Sequence, residues 1–357
     1  MRVCILEEFT RMGGGQVYAL QLSRALRELG HGVRFIVVGN ARVSPNEDYT
    51  VVKARFRASY DPPSLFIDYL SFRKLMRELN HHVDNCDLVI NNHPNFIPLN
   101  PGGRGFIVMH GLSFVDFIID EWGNVKNEAL FWFLSRNYRL YDGANYVYNS
   151  RYTMNLARRL LPRMGINAGR EYILSPHYTV NIEKIPEKED YVLTLGRLEW
   201  NKGLRELMHI AREIRRRIIV AGKTDARESK EVIRRLSTIS NIEVMPDVDE
   251  RTKEELYKGA SIYLHLNRKE NFGIAVLDAV ASGTIPITPR SGAPWTDILE
   301  EGRYGLGYTG IDEVPKLIEK AEELINREEV FKSRIRYSPG NFRERLRGLI
   351  KDFEEPS

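Results

Sequence analysis

The stretch from Lys269 to Ala281 is where residue types and spacing first point to chemistry. An apolar run, Ile262–Leu266, gives way to the polar Asn267-Arg268-Lys269-Glu270-Asn271, and Phe272-Gly273 leads into Ile274–Ala281, which has helical spacing. Asp278 lies inside that run, between Leu277 and Ala279. A carboxylate in such company needs a partner, because burying it alone is expensive. Hydroxyls of a sugar or ribose would serve, and so would a basic neighbour in a structural bridge. A helix opening near Gly273 also offers backbone N–H groups to hydroxyl or phosphate oxygens.

Four other segments carry candidate groups. Gly196-Arg197-Leu198-Glu199-Trp200-Asn201-Lys202-Gly203 follows the apolar Val192–Leu195 and precedes a helical pattern. Arg197 and Lys202 would sit at the carboxyl end of a strand, placed to neutralise a departing diphosphate or left as solvated loop charges. Gly13-Gly14-Gly15 lies between the first strand and the first helix, where glycine lets backbone approach a ligand. It is neither G-x-G-x-x-G nor a Walker loop, and a plain turn is the other reading. His110 ends the strand Phe106–Met109 and could hydrogen-bond a reacting sugar or act structurally. Asp247-Val248-Asp249 matches the D-x-D of metal-dependent sugar transferases, but short acidic matches arise by chance and no metal is expected.

The elements that must position these groups alternate. Val3–Leu6, helix Val17–Leu29 and Val33–Val38 form a βαβ-like unit. Leu88–Ile90, Phe106–Met109 and Asn145–Tyr148 read as further strands, with aromatic-rich stretches at 66–76 and 114–141 between them. Residues 176–190 read as an interdomain linker. Beyond it, strands at Val192–Leu195, Ile218–Ala221, Ile242–Met245, Ile262–Leu266 and Ile285–Thr288 alternate with helices at Leu204–Arg216, Ser229–Ser237, Thr252–Lys258, Ile274–Ala281 and Val314–Ile325. Such alternation predicts parallel sheets covered by helices on both faces, with ligands outside the carboxyl ends of the strands. A last helix, Asn341–Phe353, carries one apolar stripe and a basic remainder.

At 357 residues the chain predicts two domains. Net charge is +4, too weak to imply nucleic-acid binding but suited to anionic phosphates or an anionic membrane surface. Cys4 and Cys86 are too few for a disulfide framework or zinc cluster, and a reducing cytosol is expected. The short apolar start is no signal peptide and no stretch approaches a spanning helix, so the chain is expected to stay inside the cell, with peripheral membrane contact open. Scarce Gln amid abundant Lys, Arg and Glu is compatible with a thermophile or a skewed genome.

Taken together, these segments resemble the retaining glycosyltransferase family 4, of GT-B architecture. The likeness runs through Gly196-Arg197-Leu198 to Lys202-Gly203, Glu270-Asn271-Phe272-Gly273 to Asp278-Ala279, Ala281 to Pro286, Ser291-Gly292-Ala293-Pro294 with Asp297-Ile298, and Gly302 to Gly305. It is thinner in the first half: the glycine loop, His110 and Asn149-Ser150-Arg151. The resemblance implies two Rossmann-like domains facing a cleft, an acceptor-binding 1–178 completed by 336–357 and a nucleotide-sugar-binding 186–335. It implies Gly14 and Gly15 near the donor phosphates and His110 beside the transferred sugar. Gly196, Arg197 and Lys202 would bind the diphosphate, with Val248 among the donor-binding residues. Glu270, with backbone from Asn271, Phe272 and Gly273 to Ile274, would hold sugar hydroxyls. Asp278 would hold the ribose, where the family's E-x7-E pattern has Glu. No metal or other cofactor is implied. The expected reaction transfers a hexose from a UDP- or GDP-linked donor, with retention, to a glycan or lipid-linked acceptor, no nucleic acid being a partner. An epimerase of the same architecture and a non-catalytic nucleotide-sugar-binding subunit are the alternatives.

Overall fold

A computed structural model describes residues 1–9, 12–39, 48–53, 75–95, 97–111 and 138–354. The chain divides into two units, Met1–Pro176 with Pro339–Ser357, and His177–Ser338. The aromatic-rich stretches at 66–76 and 114–141 lie outside the described residues except at 75–76 and 138–141.

In the first unit, short apolar runs become parallel strands: β1 (Arg2–Glu7), β2 (Gly32–Val38), β3 (Tyr49–Val52), β4 (Leu88–Asn91), β5 (Gly105–Met109), β6 (Tyr146–Tyr148) and β7 (Glu171–Ile173). Their order is β3-β2-β1-β4-β5-β6-β7, and every pairing is parallel. Helices α1 (Gly14–Glu28), α2 (75–83) and α3 (Arg151–Leu160) accompany them. Ser150 caps α3 by accepting the Thr153 N–H at 3.0 Å, which satisfies an amide of the first turn. The sequence pattern passes over β3 and β7. Both are edge strands of three or four residues, too short and too exposed to form an apolar run.

The second unit holds β8 (Glu189–Arg197), β9 (Arg217–Lys223), β10 (Ile242–Pro246), β11 (Ala260–Leu264), β12 (Ile285–Pro289) and β13 (Leu306–Tyr308) in the order β10-β9-β8-β11-β12-β13, again all parallel. Around the sheet lie α4 (Leu204–Ile210), α5 (Ser229–Leu236), α6 (Glu250–Gly259), α7 (Ile274–Ala281), α8 (Val314–Leu324) and α9 (Arg327–Ser333). The helix expected over Leu204–Arg216 ends at Ile210. Asn241 explains the stop: its amide donates to the carbonyls of Ala211 and Ile214 at 2.8 and 2.7 Å, drawing them out of a helical path. Residues 177–188 pack onto this unit rather than running free. Val180 and Ile182 enter its apolar core, and the Lys188 ammonium donates to three backbone carbonyls and the Thr284 hydroxyl.

The last helix, α10 (Pro339–Glu354), returns to the first unit. Its stripe, Phe342, Leu346, Leu349 and Ile350, is buried with Tyr18, Leu22, Ala25 and Leu26 of α1. Arg343 pairs with Glu28 at 2.8 Å. The apolar face of this basic helix is therefore core.

One expectation is corrected. Cys4 and Cys86 form a disulfide, with Cα atoms 5.9 Å apart across 82 residues of sequence. The β1–β4 pairing sets Cys4 opposite Val89, three residues beyond Cys86, and this register brings the two thiols together. The argument for a reducing compartment from two separate thiols thereby loses its footing. Replacing both cysteines by Ser is expected to lower the unfolding free energy by about 2–4 kcal/mol. Denaturant unfolding with and without reductant checks this, and unchanged stability in both would place the thiols apart.

Candidate functional site

Each sheet reverses its order of growth once, between β8 and β11 in the second unit and between β1 and β4 in the first. Such switch points open a crevice at the carboxyl ends of the strands, because successive connections leave in opposite directions. The candidate groups collect there.

In the second unit β8 ends at Arg197, and the chain returns through a short turn, Trp200–Lys202, to Gly203. Gly203 has φ +79°, and a Cβ there would lie 2.5 Å from the Leu266 Cβ and 2.9 Å from the Leu266 carbonyl oxygen. Only glycine lets this loop lie against the end of β11. The close approach sets the Lys202 Nζ 4.0 Å from the Glu270 carboxylate. Asn267 donates to the same oxygen of Glu270 at 3.0 Å, and the imidazole Nε2 of His265 is 4.0 Å from it. The Ala293 amide donates to the Glu270 carbonyl at 2.9 Å, pinning the loop from the other side. Arg197 points to Glu199, Nη1 to Oε1 3.0 Å, and stays 39% exposed, while Gly196 sits beside Gly222 of β9 in the strand register. The structure therefore joins Lys202 and Glu270, and keeps Arg197 on the same loop with a different partner.

Helix α7 begins where expected. Gly273, at φ +95°, precedes Ile274, and Phe272 is buried edge-on against Tyr337. Of the first-turn amides, Val276 donates to the Gly273 carbonyl at 3.0 Å, while Ile274 and Ala275 come too early in the helix for an i−4 carbonyl. Asn271 lies half-buried in the connecting loop. Asp278 faces the helix's buried side, where Thr179 supplies both its backbone N–H at 2.6 Å and its hydroxyl at 2.7 Å. Burial pushes this carboxyl up to about 6, against the field of Lys253 and the two Thr179 bonds. The partner needed by the buried acid is thus a neighbouring threonine, neither a basic residue nor, within the chain, a ligand group. Val248 packs against the apolar cluster of the same unit. Asp247 accepts from the Thr224 amide and hydroxyl, and Asp249 caps α6 by accepting from Thr252 at 2.7 Å. Both acids of the D-x-D match are engaged in shaping the backbone.

In the first unit the glycine loop opens α1, with Gly14 its first residue and Gly13 its cap. Beneath it lies a buried polar network that the sequence reading passes over. Glu7, at the end of β1, is fully buried. It accepts from Gln16 at 3.2 Å, from the Glu8 amide at 2.7 Å and from the Asn92 amide, and pairs with His93 Nδ1 at 2.9 Å. Asn92 also donates to the Gly15 carbonyl at 3.0 Å. Both of these partners are acceptors only, so the Asn92 amide is forced to turn its oxygen toward His110 Nε2, 3.0 Å away. His110 must then carry its proton on Nε2 and leave Nδ1 as an acceptor. Burial takes its pKa down to about 4, so the ring is neutral at pH 7. Tyr18 packs edge-on against it, and a Cβ on Gly15 would stand 3.7 Å from the ring. The glycine loop and His110 are one construction, oriented through Asn92 by Glu7. The available sequence signals were Glu7-Glu8 closing an apolar run and Asn91-Asn92-His93 closing another.

Residues 179–339 match the family model for glycosyl transferases group 1, and residues 12–170 match that for Glycosyltransferase Family 4. A glycogen synthase of Desulfitobacterium hafniense is 32% identical over 158 residues, 40% of this chain and 32% of that protein. The chain thus spans about a third of that curated relative's length. Sucrose-phosphate synthase from Thermosynechococcus elongatus superposes with a TM-score of 0.70 at 13% identity, covering 98% of each chain. Anabaena HepE, solved with UDP and glucose, superposes with a TM-score of 0.71 at 11% identity, covering 98% of this chain and 99% of that one. At these identities the likeness shows the fold, the GT-B pair of Rossmann-like parallel-sheet domains.

The Glu7–His93 pair has a definite pH signature. Burial raises the Glu7 pKa, but the His93, Asn92 and Glu8 contacts outweigh it and hold the carboxyl below its ordinary value. Burial lowers the His93 pKa, and Glu7 outweighs it to hold the imidazole above its ordinary value. A depressed carboxylate contributes stability that is lost as pH falls; a raised imidazole contributes stability that is lost as pH rises. The stability difference between wild type and His93→Gln is therefore expected to be largest between about pH 4.3 and 6.5 and to shrink on either side. Urea unfolding across pH tests this, and a flat difference would deny the charged pair.

Proposed function

We propose that this chain, each of whose units matches a glycosyltransferase family model, is a retaining hexosyltransferase that takes a sugar from a nucleoside diphosphate donor. The observation that carries the reading is the Lys202–Glu270 juxtaposition at the β8/β11 switch point, with Arg197 on the same loop. Lys202 and Arg197 supply the positive charge that a leaving diphosphate requires. Lys202 stands 4.0 Å from its carboxylate, and Arg197, paired with Glu199 at 3.0 Å, stays 39% exposed, so an incoming diphosphate can reach either cation. Glu270, fixed by Asn267, accepts from hydroxyls of the sugar, and the opening turn of α7, from Asn271 through Gly273 to Ile274, presents N–H groups to the same ligand. Asp278 keeps acceptor capacity beyond its two Thr179 bonds, and we assign it to the ribose. Gly196 and Val248 complete the donor set of the second unit, and in the first unit we assign a donor-binding role to Gly14 and Gly15.

Retention proceeds without an enzymic nucleophile in this reading. The acceptor hydroxyl attacks the face that the diphosphate leaves, and a leaving phosphate oxygen takes its proton. His110, neutral and with Nδ1 left as an acceptor, takes a hydrogen bond from a hydroxyl of the transferred sugar. The HepE structure, holding UDP and glucose, makes a UDP-hexose the first donor to try. We assign acceptor binding to the first unit and propose a glycan or lipid-linked acceptor and no metal. Among the described residues no helix is long and apolar enough to cross a membrane. A cytoplasmic setting, the membrane's inner face included, fits the Cys4–Cys86 disulfide where intracellular disulfides persist, as in hyperthermophiles.

Arg197→Ala and Lys202→Ala are each expected to lower kcat/KM by roughly 10²–10³-fold if each acts like one oxyanion donor. Steady-state kinetics on the donor found in a thermal-shift panel of UDP-, GDP- and ADP-sugars measures this. A donor at 100 times its Kd adds about 2.7 kcal/mol of stability and is readily seen. Wild-type turnover in both variants sinks the assignment, and conversion of the donor sugar without acceptor points to an epimerase.

A further inference from the structure

His265 closes β11 and stands outside the residues assigned above. It is 8% exposed, and its Nε2 has no hydrogen-bond partner among the described residues. Buried polar atoms are rarely left so, because the protein gives up their hydration without replacing it. The ring is held in place. It stacks on Tyr263 with centroids 6.5 Å apart and planes 20° apart, while the backbone N–H of His265 donates to the Ile287 carbonyl at 2.8 Å and its backbone carbonyl accepts from the Tyr308 hydroxyl at 3.1 Å. Nε2 faces Glu270 Oε2 at 4.0 Å, too far for a hydrogen bond. That oxygen is already engaged by Asn267 and approached by Lys202. Burial takes the imidazole down to about 4, so at neutral pH it is no cation for Glu270. Nε2 is therefore neutral and unmatched among the described residues. It stands 4.0 Å from a carboxylate oxygen that Lys202 also approaches to 4.0 Å. A ligand able to satisfy both carries two adjacent hydrogen-bonding groups, as vicinal hydroxyls are.

We propose that His265 is a specificity-determining residue for the donor: its Nε2 hydrogen-bonds one hydroxyl of the transferred sugar while Glu270 accepts from the neighbouring hydroxyl. The inference rests on the reading of the second unit as a nucleotide-sugar site. It selects sugars with a free vicinal diol at this position over those deoxygenated or acylated there, since a site built to bond a hydroxyl rejects the analogue lacking it.

His265→Phe keeps an aromatic ring to stack on Tyr263 but removes the nitrogen. Calorimetric titration of wild type and variant with UDP-glucose, GDP-mannose and ADP-glucose, and with UDP, GDP and ADP alone, isolates the sugar contact. For the nucleotide sugar that binds, the variant is expected to raise Kd about 10-fold, with the free nucleoside diphosphate bound as in wild type. A single-deoxy donor lacking the contacted hydroxyl should bind both proteins alike. Equal weakening of sugar-bearing and free nucleotide, or no weakening of either, overturns the role of His265 while leaving the donor site standing. Failure of wild type to bind any of the six overturns the donor site and this inference together. If the variant melts below the assay temperature, single-deoxy donors on wild type decide: at least one position must lose affinity, that loss must vanish in His265→Ala refolded or assayed cold, and a loss that persists there refutes the contact.

Discussion

Parallel strands that change their direction of growth once per sheet are the constraint from which both candidate sites follow. A parallel strand can be joined to its neighbour only by a crossover, and crossovers share a hand. When the order runs one way from β8 to β10 and the other way from β11 to β13, the two sets of connections part above the β8 and β11 ends. Lys202, His265, Asn267 and Glu270 all lie on the chain leaving those two ends. The same reversal between β1 and β4 places the glycine loop, Glu7, Asn92 and His93 together, with His110 on the next strand.

The two sites handle buried polarity in opposite ways. Glu7 is completely provided for by Gln16, Glu8, Asn92 and His93, so its charge acts inside the fold, orienting Asn92 and through it His110. Asp278 stands between the two cases, held by two bonds from Thr179 and with acceptor capacity left over. Glu270 is different: half-buried, with one short partner in Asn267 and two groups at 4.0 Å that have not closed upon it. Fully satisfied networks rigidify a core, whereas incompletely satisfied groups at a crevice keep capacity for a ligand. This contrast separates the scaffold residues from the binding ones more sharply than residue type does.

Much of this was legible in the chain. The apolar run Val192 to Leu195 fell inside the longer strand Glu189–Arg197, and the helical pattern Ile274 to Ala281 became a helix with those bounds. Lys202 and Glu270 were singled out on two loops read separately, and Gly203 explains why they meet: its missing side chain lets one loop rest on Leu266. Less was legible where elements are short or exposed, as in β3, β7 and β13, because three or four residues carry no period.

What the sequence determined by itself was local: the alternation of strand and helix, the glycines at φ values that side chains resist, and the acids and bases placed just past strand ends. Those properties depend on neighbours a few residues away. Tertiary structure alone decided the partners. Cys4 met Cys86 because β1 lies against β4, Asp278 was claimed by Thr179 from 99 residues away, and Asn92 came between Glu7 and His110 from a third segment. Such contacts join segments whose approach is set by sheet order and register, and no spacing along the chain encodes either. His265 is the clearest case: in the sequence it is one imidazole after an apolar run, and only the folded sheet shows its nitrogen buried, unmatched among the described residues and 4.0 Å from Glu270.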